Sequence, residues 1–176
     1  MDYKTILKEI NEKFGLETTT VSLREDEIYL KVKPEDFKKI CLSLHKLLSA
    51  PVASLFALDN RREKGVFEIY CSFMGGKCKK WFFAVAEIPA DNPKFNSLAK
   101  DIYSASLFER EIKEMFGIEP SNSPDTRRLR LHSEIWPEGF YPLRKDFIKP
   151  AGVGKTGDYV FNEVDGEGIF EIPVGP

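Results

Sequence analysis

Regularly spaced charge is the feature of this chain with the most chemical potential. Between Glu109 and Glu114 the sequence reads E-R-E-I-K-E, and four arginines follow at Arg127, Arg128, Arg130 and Arg144. Carboxylates and guanidinium groups together can pair, bind an anion, or set a general acid beside a base. Glu109 precedes Lys113 by four and Arg110 precedes Glu114 by four, so both pairs are expected to lace a solvated helix face, each for a few tenths of a kcal/mol. Glu111 differs. At about 100° per residue it sits roughly 60° from Phe108, on the flank of the apolar arc, where a half-buried carboxylate needs a partner. One of the downstream arginines is the expected donor, in a structural salt bridge ahead of a catalytic pair.

Other chemistry is sparsely represented. The two histidines, His45 and His132, have no Ser-His-Asp or Cys-His context, and His45, beside an apolar stripe without a second ligand at metal spacing, reads as structural. Three cysteines without metal spacing point to a reducing compartment. Cys41 and Cys71 fall on apolar faces as small buried thiols, and Cys78, among Lys77, Lys79 and Lys80, reads as a turn residue. Gly154-Lys155-Thr156 ends like a phosphate-binding loop, but Lys149 stands where its first glycine is required. Carboxylates such as Asp125 and Glu134 exist, but nothing in the sequence sets them across a cleft. The arginines are interleaved with Asp125, Glu134 and Asp146 in a chain of formal net charge -2, which argues against a nucleic-acid surface. No apolar run approaches the roughly 18 residues of a membrane span, so membrane association is expected only through partners.

The elements that must position these charges follow from periodicity. Ala105, Phe108, Ile112 and Met115 share one helical face, and Gly117 stands where a left-handed C-cap belongs. Beyond it, prolines at 120, 124, 137 and 142 forbid a regular element, yet Trp136, Phe140, Tyr141, Leu143 and Phe147 are too apolar for a free linker. That segment has to lie against something. Upstream, residues 2–14 read as a helix closed by Gly15, and Pro34 opens a second helix carrying Phe37, Ile40, Cys41, Leu44, Leu47 and Leu48. Alternation predicts strands around Val21 and Leu23, at Ile28 to Val32 and over 67–73, and apolar runs predict two more over 52–58 and 81–88, the last apolar on both faces except at its end. Asp59-Asn60, Lys64-Gly65 and Gly75-Gly76 supply turn signals short enough for antiparallel neighbours, and Asp91-Asn92-Pro93 breaks the chain before the charged helix. The expected fold is α+β: a largely antiparallel sheet with helices packed on one face and an extended Pro/Gly-rich C-terminal tail over 148–176.

Three motifs in order carry a family resemblance: E-R-E-I-K-E-M-F-G-I (109–118), P-D-x-R-R-L (124–129) and P-L-R-K-D-F (142–147). The stretch resembles the 30 kDa subunit of respiratory complex I, the NADH dehydrogenase of respiratory chains. It is also similar to the related domain of membrane-bound, energy-converting nickel–iron hydrogenases and formate hydrogenlyases, where W-P-E-G-x-x-P-L-R-K-D-F is the familiar form. The family usually has a histidine before the Pro-Asp, and Ser123 stands there here. The last residues, G-E-G-I-F-E-I-P-V-G-P (166–176), look like the opening of the large hydrogenase subunit, the relative of the 49 kDa subunit, so a domain of a longer fused polypeptide is expected.

The resemblance implies a 30 kDa subunit-like domain over 1–147 and a tail or linker over 148–176. It implies a non-catalytic scaffold of a redox complex at the inner, cytoplasmic face of a membrane, with no cofactor in this chain. Its implied partners are a large 49 kDa-like catalytic subunit and a small iron–sulfur subunit, with iron–sulfur clusters and a nickel–iron centre or a quinone on their side. The signature residues expected at the interface are Glu109, Arg110, Glu111, Phe116, Gly117, Pro124, Asp125, Arg127, Arg128, Trp136, Pro142, Leu143, Arg144, Lys145, Asp146 and Phe147. Glu109, Arg110 and Glu111 are expected to fix the helix against Arg127, Arg128 and the Pro-Leu-Arg-Lys-Asp strip. The competing expectation is a stand-alone enzyme or ligand-binding domain using Trp136 to Arg144 as a pocket; that pocket needs the strip packed, whereas a docking strip can stay loose until bound.

Overall fold

A computed structural model describes residues 2–15, 24–133, 135–151, 166–170 and 172. The strand expected around Val21 and Leu23, Glu134, the Gly154-Lys155-Thr156 stretch and much of the 148–176 tail lie outside the described residues.

Helix α1, Tyr3–Phe14, opens with Asp2 accepting from the Thr5 N–H at 2.8 Å, closes at left-handed Gly15, and buries Ile6 and Ile10. Strand β1, Glu27–Val32, leads into α2, Pro34–Leu48, whose first residue is the proline that needs no donor. Ser49 at φ 49° ends it. His45 Nδ1 lies 2.7 Å from the Ala50 carbonyl, a local structural bond.

Strands β2, Ser54–Asn60, β3, Val66–Gly75, and β4, Lys80–Pro89, form an antiparallel meander, as the short connections predict. Strand β1 adds to β4 in parallel, giving the order β1-β4-β3-β2. Alternation puts Leu30, Ala57, Phe67, Ile69, Phe73, Phe82 and Ile88 on one face, where they share a core with Phe37 and Leu44 of α2 and Ile10 of α1. The opposite face carries the stacked pairs Tyr29/Phe83, with ring centroids 4.6 Å apart, and Phe56/Tyr70, 5.0 Å apart.

One expected turn and one expected break are placed differently. Asp59 and Asn60 finish β2, and the turn is the four-residue helix α3, Arg61–Lys64, closed by Gly65 at φ 73°. Asp59 is pulled into the strand because it continues the inward alternation of Leu55 and Ala57 and pairs across the ladder with Phe67. Pro120 does not forbid an element either. Strand β5, Lys94–Asn96, pairs in parallel with β6, Glu119–Ser121, through the Glu119 N–H to Pro93 oxygen and the Ser97 N–H to Ser121 oxygen, so no donor is asked of the proline. These two short strands clamp the base of helix α4, Ser106–Phe116, which packs over β2 and adds Ile112, Met115 and Phe116 to the same core.

Candidate functional site

Helix α4 places its charges in a way that the i, i+4 reading does not foresee. The buried arc runs through Ala105, Glu109, Ile112 and Phe116, so Glu109 lies at its centre with 0% exposure, and Phe108 is only half-buried. The expected Glu109–Lys113 and Arg110–Glu114 pairs therefore do not form. Glu109 accepts from Ser97 Oγ at 2.6 Å, from the Leu98 N–H at 2.5 Å and from the Ala99 N–H at 3.2 Å, which fixes the loop ahead of the helix. Burial pushes its pKa above the usual carboxylate value despite these donors. The missed signal was its i+4, i−3 and i−7 relation to Ala105, Ile112 and Phe116.

The outward charges of α4 bind main chain instead of one another. Arg110 donates through Nε to the Arg127 carbonyl at 2.8 Å and through Nη2 to the Arg128 carbonyl at 2.6 Å, with Asp125 3.4 Å from Nη1. Glu114 receives three backbone N–H groups, from Leu129 at 3.3 Å and from Arg130 and Leu131 at 2.8 Å. Between them, cation and carboxylate satisfy the two kinds of backbone group that an irregular segment leaves free. Glu111 pairs with Arg130 Nε at 3.2 Å, and Lys113 turns to Glu119 at 2.9 Å. Asp125 is held well below the usual carboxylate range by the Arg127 side chain bonded to it. Pro124 is an exposed turn residue beside that pair.

The strip 142–147 is fastened to the other end of α4. Leu143 N–H donates to the Met115 carbonyl at 3.1 Å and Arg144 Nε to the Phe116 carbonyl at 2.7 Å, satisfying acceptors that a helix end leaves open. Gly117, at φ 69°, both caps the helix and makes room: a Cβ there would run into the Tyr141 ring and the Arg144 guanidinium. Arg144 lies 4.2 Å from the Tyr141 ring centroid and 5.3 Å from that of Phe67. Burial lowers its pKa from the ordinary guanidinium value.

Residues not singled out from the sequence complete the attachment. Buried Asp59 accepts from Arg61 and from the main-chain N–H of Lys145, whose side chain is exposed. Arg61 bridges to Asp146 at 2.5 Å, and Arg62 donates to the Lys145 carbonyl at 3.1 Å. The Arg61 fork holds the Asp59 carboxyl well below the usual carboxylate range. Thus the strip docks on β2 and α3 rather than on Glu109 or Glu111. The signal was present: a carboxylate on the inward register of β2 has to be paired. Trp136 stacks on Phe147 with centroids 6.0 Å apart and donates Nε1–H to the Phe140 carbonyl at 2.9 Å, so the strip folds back on itself while Phe140 and Leu143 stay exposed. Pro142 is half-buried at the start of the strip.

Between α4 and the 126–141 segment lies an open cleft of about 430 Å³, walled by Trp136, Phe140 and Tyr141 and floored by Arg110, Glu114 and Arg128. Among the described residues no group of three His, Cys, Asp or Glu side chains could hold a metal ion.

Comparison with known proteins places this geometry among relatives. Residues 30–152 match the family described as the respiratory-chain NADH dehydrogenase 30 kDa subunit. The chain is 30% identical over 179 residues to formate hydrogenlyase subunit 5 of Escherichia coli strain K12, an alignment covering 97% of this chain and 31% of that protein. It is 35% identical over 127 residues to hydrogenase-4 component G of the same organism, covering 69% of this chain and 23% of that one. The chain thus spans a third or less of the length of these two relatives. A chain in the solved structure of the membrane-bound sulfane sulfur reductase, described as an archaeal respiratory membrane complex, has the same fold, with a TM-score of 0.68 over 96% of this chain and 98% of that one at 18% identity.

Proposed function

The chain belongs to the respiratory-chain NADH dehydrogenase 30 kDa subunit family, and from that premise we propose that it is a non-catalytic scaffold of a membrane-associated redox complex. In this reading it joins a large, 49 kDa-like catalytic subunit to a small iron–sulfur subunit. The clusters, and the nickel–iron centre or quinone with which they exchange electrons, belong to those partners, and none belongs to this chain. Among the described residues no helix is long and apolar enough to cross a membrane, so the partners would hold the domain at the cytoplasmic face.

One observation carries the reading. The charged residues of the signature are spent on holding the chain's own backbone: Arg110 on two carbonyls, Glu114 on three amides, Arg144 on the helix end. What they hold in place is a surface of aromatic and arginine side chains, the residue types that protein interfaces favour. A hydrolytic or proton-transferring site would instead aim an acid and a base at a common point in a cleft.

The test is affinity purification from membranes of the native source, with companion chains identified and iron and nickel measured. A large chain with nickel is expected for the hydrogenase type; iron without nickel assigns the quinone-reductase type. A protein recovered alone, soluble and metal-free overturns the scaffold.

The cleft that Trp136, Phe140 and Tyr141 line favours a second reading, a ligand-binding domain. A thermal shift of the lone protein with a small carboxylate or phosphate would then replace the purification as the test.

A further inference from the structure

Helices α1, α2 and α4 all pack against one face of the four-stranded sheet, and the other face is built like a second, unfinished core. A sheet with one wet face alternates apolar inward and polar outward. Here the outward positions include Trp81, Phe83 and Val85 on β4, Met74 on β3, and Phe56 and Leu58 on β2. Val85, flanked in the ladder by Lys31 and Tyr70, is 6% exposed, whereas Phe56, Leu58 and Met74 are exposed at 38, 43 and 37%. Polar side chains on this face are already partnered within the chain. The Ser54 and Ser72 hydroxyls lie 2.7 Å apart, and Glu68 accepts from Lys64 at 2.6 Å, from Tyr70 at 2.7 Å and from Asn60 at 2.9 Å. The middle of the face therefore offers a partner apolar contact.

The ends of the face say what covers it. Glu27 opens β1, while Lys31 lies near its end and Lys33 follows on the same side, both beside Glu87. The ladder sets Glu27 next to Trp81 and puts Leu30, Ala84 and Cys71 in one row at the middle. A half-turn about an axis between two such sheets, running along that row, exchanges the ends. It brings Glu27 of one copy to Lys33 of the other, Trp81 with its indole donor to Glu87, and Phe83 to Val85, each of them twice. Sheets stacked about 10 Å apart, with strands within about 30° of one another, pack in this way. We propose that the aromatic face is a homodimer interface, on which a second copy of this chain stacks its own sheet with Glu27–Lys33 pairs at both ends setting the register. A foreign surface has to supply complementary charges, whereas a second copy carries them already. The inference goes beyond the scaffold reading: the dimer leaves α4 and the strip 142–147, on the helix side of the sheet, free for companions.

The experiment is sedimentation equilibrium of the purified full chain, with each variant's melting temperature matched to the wild type's. The expected result is a monomer–dimer equilibrium at micromolar concentration. Met74→Lys puts an amine into the apolar contact and should weaken association about tenfold or more. Glu27→Lys sets like charges against each other and should also weaken it about tenfold, while Glu27→Lys combined with Lys33→Glu should restore it. Lys33→Glu serves as the single variant where Glu27→Lys melts early. A monomer at every concentration, a dimer that Met74→Lys leaves unchanged, or a double reversal that fails to restore association each overturns the proposal. Cross-linking of Lys31 to a companion chain in the native complex gives the face another occupant and overturns it too. Each of these outcomes leaves the scaffold reading standing, since that reading is decided by whether companions purify with the chain.

Discussion

The main-chain N–H of Lys145 donates to Oδ2 of Asp59 across 2.9 Å, joining the end of β2 to a strip 86 residues further along the chain. Arg61 grips the same carboxylate through Nε and Nη2, at 2.9 and 2.8 Å. Asp59 is therefore the post to which the C-terminal part of the signature is tied.

Replacing that post should cost both stability and acid dependence. Asp59→Ala leaves the Lys145 N–H without its acceptor and Arg61 with Asp146 alone, a loss of about 3 kcal/mol by denaturant unfolding. Because the Arg61 fork lowers the Asp59 pKa in the fold, its contribution is complete above the unfolded value of about 3.9 and fades as pH falls through the folded one. The denaturation midpoint of the wild type should drop on acidification below about pH 4, and that of Asp59→Asn should drop less.

Glu109 should behave in the opposite sense. Burial raises its folded pKa, so its ionised form is the disfavoured one, and stability present below the unfolded value of about 4.3 is lost as pH rises through the folded value. Glu109→Gln keeps an acceptor for Leu98 or Ala99 without a charge and should stay within about 1 kcal/mol of wild type at neutral pH. Glu109→Ala strands the donors of Ser97, Leu98 and Ala99 and should cost about 3 kcal/mol. Urea unfolding of the two variants side by side checks the order.

Gly117→Ala tests the junction between helix and strip. The left-handed backbone and the collision with Tyr141 and Arg144 should together destabilise by about 2 kcal/mol or more. The displaced strip should also be cut faster by trypsin after Arg144, so equal cleavage rates in variant and wild type would contradict the packing described.

Glu114→Ala should act locally. Amides of Leu129, Arg130 and Leu131 lose their common acceptor, and their hydrogen exchange should accelerate about tenfold or more while amides in the centre of β3 are unchanged. Mass-spectrometric exchange over the 125–133 peptide reads this directly.

Much of this architecture is written in periodicity. The 3.6-residue stripe of α2, the cap at Gly117 and the alternation of β2, β3 and β4 each depend on near neighbours, and each appears in the structure where the sequence puts it. What escapes the sequence depends on distant partners. The parallel docking of β1 on β4 has no turn to announce it. The pairing of β5 with β6 rests on three residues a strand. The helix charges were legible as charges, but the main partners of Arg110 and Glu114 turned out to be backbone groups of residues 127–131, which carry no side-chain signature. The pairing of Glu111 with an arginine was readable because a flank position narrows the choice of donors.

The parallel place of β1 also orders events on the ribosome. Glu27 is synthesised well before Trp81, its partner in the ladder, and β4 is the last strand of the sheet to emerge. Until Pro89 is out, β1 has no ladder to join, while β2 and β3 can close as a local hairpin. A nascent chain halted before β4 should therefore expose the apolar row Ile28, Leu30 and Val32, the kind of open strand that chaperones intercept, and completion of β4 joins β1 to the β2–β3 hairpin in one step.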